Sequence, residues 1–186
     1  MENKYGRLVA QTLPLYGISN GPDGGVSQAE SDLKYGKPGD QFNTDITFLC
    51  PSSVVAEWNS RAGNATYQYQ FSLTVPGHPE VGAPHASEIP YVFGTLDEQR
   101  PMRPDYQPPD YAASKAMQEY WTNFAKTASP DGRGVPGWPE YKADTKKYIE
   151  FTKKGVETGA DLRQKQCEAF ARWVKIKGEK SASVVH

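Results

Sequence analysis

The chain has 186 residues, with 21 Lys/Arg against 22 Asp/Glu and a formal charge of −1; that length suits a single domain able to bury a core. The balanced charge excludes a general attraction for polyanions or anionic membranes, and no apolar run approaches the roughly 18 residues of a membrane-spanning helix. With 17 glycines, 15 prolines and a mean hydropathy of −0.70, the chain is rich in loops. Met1-Glu2-Asn3-Lys4 leads into no apolar stretch, so no secretion signal is expected. In chain order, Lys4 to Tyr16 spaces Tyr5, Leu8, Val9, Leu13 and Leu15 as a helix that Pro14 closes. Gly17 to Ser27 reads as a loop. Gly25-Val26-Ser27-Gln28-Ala29 has one glycine of a nucleophile elbow but lacks the second and any preceding strand. Ser27 is better read as a helix N-cap, with Glu30 completing a capping box. Asp40 to Leu49 predicts a helix with Phe42, Ile46 and Leu49 on one stripe, and Pro51 interrupts it. Ser52 or Ser53 can cap a second helix carrying Val54, Val55 and Trp58, which Gly63-Asn64 ends.

Thr66 to Val75 is the clearest strand. Tyr67, Tyr69, Phe71, Leu73 and Val75 fall at every second position and so share one face. The chain breaks at Pro76-Gly77 and enters a loop holding His78, Pro79 and His85; Ile89 to Phe93 is then a short apolar segment ended by Gly94. A strand that delivers a histidine into a Gly/Pro-rich loop is a common way to hold a reactive group on a rigid scaffold. Asp97 to Pro109 reads as a proline-rich loop, and Tyr111 to Thr127 as a helix whose apolar face is Ala113, Met117, Tyr120, Trp121 and Phe124. Gly137 to Tyr141 is a turn with two aromatics, and Lys147 to Thr152 a last short strand. Asp161 can cap a final helix with Leu162, Ala169, Phe170, Trp173 and Val174 inward, frayed after Gly178. Lys142 to Lys180 is locally basic and reads as a solvated helix face, not a nucleic-acid patch. Cys50 and Cys167 fit no metal spacing and by themselves read as two buried free thiols, and His78 and His85 with Glu80 or Glu88 lack a second ligand pair, so no metal is expected. About five helices and two strands leave aromatic faces with little to pack on, and a two-stranded sheet is marginal alone. The chain therefore reads as a piece of a larger α/β structure.

Four segments carry a resemblance. Asp45-Ile46-Thr47-Phe48-Leu49-Cys50-Pro51 resembles D-x-x-F-x-C-P. Gly82-Ala83-Pro84-His85-Ala86-Ser87-Glu88-Ile89, followed by Tyr91-Val92-Phe93-Gly94, resembles G-x-x-H-x-x-E-[IL]. Tyr120 to Lys126 resembles W-x-N-F-A-[KR], and Trp138-Pro139-Glu140-Tyr141 resembles W-P-x-Y. In this order they are similar to the C-terminal third of the type B carboxylesterases, the family that includes the cholinesterases. The resemblance implies the C-terminal portion of an α/β-hydrolase fold over residues 1–186, with the main sheet outside the chain. It also implies a Ser-His-Glu or Ser-His-Asp triad for ester hydrolysis, with no cofactor.

Carried over residue by residue, His85 matches the triad histidine, a general base toward serine and then a general acid toward the leaving alcohol. Glu88 matches the glutamate that follows it and is expected to support the loop, with a stand-in role as acidic partner of His85 as the alternative. The family's serine, oxyanion-hole glycines and acid lie upstream of the resembling region. The expected partner is therefore the N-terminal half of the same esterase, as a separate chain or a missing segment, with a small-molecule ester as substrate. The chain alone is not expected to be active. A truncated product and a non-catalytic cholinesterase-like binding module are the alternatives. The resemblance also aligns Cys50 and Cys167 with positions bridged in some secreted cholinesterases, which implies a disulfide and an extracytoplasmic parent enzyme.

Overall fold

The computed structural model describes residues 8, 12–17, 36–98 and 105–182, with side chains described to residue 175. Most of the Lys4–Tyr16 helix, the Gly17–Ser27 loop, the Ser27–Glu30 capping box and part of the Asp97–Pro109 loop lie outside the described residues. The chain divides into two compact units. One comprises the described parts of Met1–Val55 and Arg163–His186, the other Ala56–Leu162.

The second unit is built on a three-stranded sheet of order β1-β2-β3, comprising β1 Tyr69–Phe71, β2 Lys147–Thr152 and β3 Gly155–Ala160. β1 and β2 are parallel, with Tyr69 opposite Ile149 and Phe71 opposite Phe151. β2 and β3 form an antiparallel hairpin that places Lys147 opposite Ala160 and Thr152 opposite Gly155. Parallel neighbours need a long crossover; here it carries α3, Ile89–Phe93, and α4, Pro108–Thr127.

The expected alternation holds from Tyr67 to Leu73, since Phe71 and Leu73 are buried and Tyr67 and Tyr69 pack against the same core, while Val75 is only half-buried and lies outside that cluster. The paired strand is shorter than the pattern, because only its middle lies beside β2. Pairing adds one bond at each end, from Ile149 N–H to the Gln68 carbonyl and from Ser72 N–H to the Phe151 carbonyl. β2 matches its expected bounds. β3 corrects the two-strand reading: it has one apolar residue facing the core, Val156, and mostly exposed neighbours, so it shows no alternation.

The core of this unit is aromatic. Ile149, Phe151, Met117 and Tyr120 are fully buried, each such side chain contributing about 1.5–3 kcal/mol by leaving water. Tyr120 meets Trp138 edge-on at 5.2 Å between centroids, and Tyr69 meets Trp121 at 5.1 Å. Two of these rings have their polar tips satisfied. The Trp138 indole N–H donates to the Gln68 carbonyl at 3.1 Å, and the Tyr120 hydroxyl to the Pro136 carbonyl at 2.7 Å. α4 begins three residues before the expected helix. Pro108 enters its first turn, where a missing N–H costs nothing, and Gln107 with Asp110 forms a capping box.

In the first unit, α1, Pro38–Thr44, runs into a π-helical turn, Asp45–Leu49, and then into α2, Cys50–Arg61, whose last residues belong to the second unit. Pro51 does not end the helix, contrary to the sequence expectation. A proline removes one N–H and crowds the carbonyl four residues back. The wider turn immediately upstream, closed by Cys50 N–H donating to the Asp45 carbonyl, absorbs both. α5, Gln164–Ala182, starts beyond Asp161, which sits at φ 57° instead of capping it, and runs past Gly178. Leu8, Tyr16, Phe42 and Ala169 form a small core.

Two long-range ties supplement that core. Cys50 and Cys167 form the disulfide the resemblance implies. The buried Asp45 carboxylate accepts from Arg163 Nε at 3.1 Å, from Arg163 Nη2 at 2.8 Å and from the Tyr16 hydroxyl at 2.9 Å. Burial, and then the Asp45 charge beside it, push the Tyr16 hydroxyl well above its ordinary pKa.

Candidate active-site histidine loop

The loop that presents His85 is tied at both ends by its own backbone. After β1 the chain turns at Gly77, where His78 N–H donates to the Val75 carbonyl at 2.9 Å. A short 3-10 turn, Pro79–Val81, follows. Val75 N–H then donates to the Gly82 carbonyl at 3.0 Å and closes the first half of the loop. His85 lies in the next turn, closed by Ser87 N–H donating to the Pro84 carbonyl at 3.0 Å.

The third position of that turn is Ala86 at φ 69°. A turn with positive φ at its third position ordinarily takes glycine there. An alanine in left-handed backbone costs about 1–2 kcal/mol, and such strain is held where the surroundings over-determine it. The consequence is that His85 occupies the second, outward corner of the turn and is exposed. Ile89 N–H donates to the Ala86 carbonyl at 3.2 Å, and the turn passes directly into α3.

Glu88 stands at the start of α3, where its carbonyl accepts from the N–H groups of Tyr91 and Val92, both at 3.0 Å. Its carboxylate charge lies beside Tyr69 of β1. Burial first, and then that charge, raise the Tyr69 hydroxyl above its usual pKa.

His78 is paired elsewhere, its Nδ1 lying 3.1 Å from Glu80 Oε1. The Glu80 carboxyl is held below its usual range, by its own backbone N–H first and by His78 second. Among the described residues no group of three or more His, Cys, Asp or Glu gathers as a metal site.

The sequence holds one literal G-x-S-x-G, Gly17-Ile18-Ser19-Asn20-Gly21, beside the Gly25–Ala29 segment weighed above. A nucleophile elbow needs a strand leading into it. Gly17 instead ends a 3-10 helix, Leu13–Tyr16, at φ 68°, with its N–H on the Leu13 and Pro14 carbonyls. Ile18 to Gly21 and Ser27 lie outside the described residues.

Comparison with known proteins gives these features a context. Residues 25–170 match the model of the carboxylesterase family. The chain is 42% identical over 123 residues to bile salt-activated lipase of Homo sapiens, which covers 61% of this chain and 16% of that protein. It is 29% identical over 150 residues to acetylcholinesterase of Gallus gallus, covering 78% of this chain and 19% of that one. Among solved structures, an esterase of Clostridium hathewayi, whose description says that it can hydrolyse aliphatic aromatic polyesters, superposes with a TM-score of 0.61. It is 23% identical and covers 73% of this chain and 26% of its own. The chain thus spans 16–26% of the length of the relatives it matches here, and the shared architecture is that of the α/β-hydrolase esterases.

Proposed function

The chain belongs to the carboxylesterase family, and from that premise we propose that it is the C-terminal part, or a C-terminal subunit, of a carboxylic ester hydrolase to which it supplies the triad histidine. The observation that carries this reading is the His85 turn. His85 stands at the exposed outward corner of a backbone-tied turn whose next residue is the left-handed Ala86, and this turn leads into α3 at Ile89; such a fixed, exposed corner supports the reading of His85 as the triad histidine. Residues 1–186 on this reading are one portion of a single α/β-hydrolase domain, and the remaining portion supplies serine, acid and oxyanion hole. Glu88 supports the loop.

In the assembled enzyme one imidazole nitrogen of His85 takes the proton from the serine hydroxyl as that oxygen attacks the ester carbonyl. It returns the proton to the departing alcohol, leaving an acyl-enzyme, and then activates water for deacylation. The other ring nitrogen donates to the missing acid, which fixes the tautomer. The Cys50–Cys167 disulfide supports an extracytoplasmic location for the parent enzyme.

Native mass set against denaturing mass on purified material shows whether a second chain accompanies this one. That chain, or the preceding segment of the esterase produced separately, is combined with this one and assayed on p-nitrophenyl butyrate. Hydrolysis is expected only in the combination, and His85→Ala is expected to lower kcat by at least about a thousandfold, as loss of a triad member does. Turnover unchanged by His85→Ala would remove the histidine from the reaction.

A further inference from the structure

α3 leads out of the His85 turn and is only five residues long, too short to be stable by itself. Hydrophobic burial holds one side of it alone: Ile89 and Phe93 are 48% and 73% exposed. On the inner side the Tyr91 ring, 2% exposed, meets Phe71 of β1 edge-on at 5.0 Å and Tyr106 at 5.8 Å. The rest of the hold is polar and comes from one stripe of α4. Asp110, Ser114 and Gln118 are spaced four apart, so they lie one above another on a helix face.

The Tyr91 hydroxyl donates to Asp110 Oδ1 at 2.7 Å, and Ser114 Oγ donates to the Tyr91 carbonyl at 2.8 Å. Gln118 Nε2 donates to Ser114 Oγ at 3.2 Å, and its amide lies against Gly94, the residue that ends α3 at φ 67°. A β-carbon at Gly94 would stand 2.7 Å from Gln118 Oε1, so the Gln118 amide packs directly on the Gly94 backbone. Asp110 is itself fixed, because Oδ2 takes the Gln107 N–H at 2.9 Å in the capping box that starts α4.

We propose that Asp110, Ser114 and Gln118 are positioning residues for His85, acting through Tyr91 and Gly94 of α3. The route is short and continuous. The capping box holds Asp110, Asp110 holds the Tyr91 hydroxyl, Tyr91 holds α3, and the first turn of α3 hangs on the Glu88 carbonyl directly after the His85 turn. The buried hydroxyl matters separately from its ring. The ring packs in the core, whereas the hydroxyl fixes the rotation of α3 and with it the corner on which His85 stands. The bearing on ester hydrolysis rests on the reading of His85 above; the positioning itself is a property of this chain.

The test uses the 186-residue chain and needs no activity. Tyr91→Phe keeps the ring and deletes the hydroxyl, and Asp110→Asn weakens the carboxylate's double role. Amide hydrogen exchange is followed in peptides over 82–94 and, as a control, over 147–152. The His85 imidazole carbon–proton signal, assigned by its loss in His85→Ala, is followed by NMR. Tyr91→Phe is expected to speed exchange over 82–94 about tenfold, the factor for one buried hydrogen bond, and to shift or broaden the His85 signal. The His78 signal and the protection of 147–152 are expected to stay as in the parent, and Ser114→Ala to act in the same direction more weakly. Parent-like exchange and a parent-like His85 signal in Tyr91→Phe overturn the proposal. Equal loosening of 147–152 overturns it too, since the hydroxyl would then serve general stability. Either result leaves the His85→Ala assay to judge the catalytic reading by itself.

Discussion

The two units of the chain are held together in different ways. Ala56–Leu162 relies on area: three strands, a long helix and a ladder of edge-on aromatic rings around Ile149 and Phe151. The unit formed by the described parts of Met1–Val55 and Arg163–His186 has four buried residues in its apolar cluster and relies on ties that join distant parts of the chain. One is covalent, Cys50 to Cys167 across 117 residues. The other is ionic, Asp45 to Arg163 across 118. A buried ion pair yields little net stability against an apolar substitute but is costly to break from one side, because the partner charge is left uncompensated. Among the described residues of that unit, these point ties join what the few buried apolar side chains do not, and their removal should be felt at once. Where apolar area is plentiful, damage at one point is shared among neighbours.

That contrast can be broken most sharply at the disulfide. Closing a loop of this length stabilises by roughly 4–5 kcal/mol in the loop-entropy account. Replacing both Cys50 and Cys167 by Ser is therefore expected to expose amides of α1 and α5 to exchange under conditions where the parent protects them. Protection in the two serines' variant equal to that of the parent would show that the bridge is incidental. In the other unit, Ile149→Ala deletes a fully buried side chain and is expected to cost about 2–5 kcal/mol. The exact value reports how far the surrounding rings close the gap, so a cost near the bottom of the range, read by urea denaturation, marks a core that relaxes. A cost near the top marks one locked by its edge-on rings.

The same division governs what the sequence discloses. The features of the larger unit with a period were legible. The every-second-residue face from Tyr67 to Leu73, the bounds of β2 and the Ala113–Met117–Tyr120 face of α4 all follow from burial of apolar side chains. β3 was not legible, because its place is set by its partner: Gly159 lies beneath the Tyr148 ring, where a β-carbon would come within 2.5 Å of it. Pro51 reads locally as a helix breaker, and only the π turn before it shows why it is tolerated. Asp110 looks like an ordinary acidic residue in a first helical turn. Its use by Tyr91 depends on how α3 meets α4, which no local pattern encodes. The His85 turn was visible as a motif, while the left-handed Ala86 that gives the turn its shape was not.

Alkaline pH offers the gentlest probe, and it acts on both units through buried tyrosines. Tyr120 of the larger unit is pushed up to about 12, by burial first and by the Asp131 charge second. Tyr16 of the other unit is raised for the analogous reasons, burial and Asp45. A hydroxyl whose pKa is higher folded than unfolded keeps its proton in the native state while the unfolded chain has begun to ionise. Its contribution is complete below the ordinary tyrosine value near pH 10 and is lost as pH rises from there through the folded pKa. Stability should therefore hold to about pH 10 and then fall, and the share due to Tyr120 should be spent by about pH 12. Urea midpoints measured at intervals from pH 9 to pH 12, with tyrosinate absorbance at 295 nm in parallel, resolve this. Tyr120→Phe carries no titrating proton, so its midpoint should start lower, from the lost bond to the Pro136 carbonyl, and then decline less steeply than that of the parent. Parallel declines in the two proteins would mean that Tyr120 ionises as readily folded as unfolded, and that the ring core is open to water at the helix α4 end.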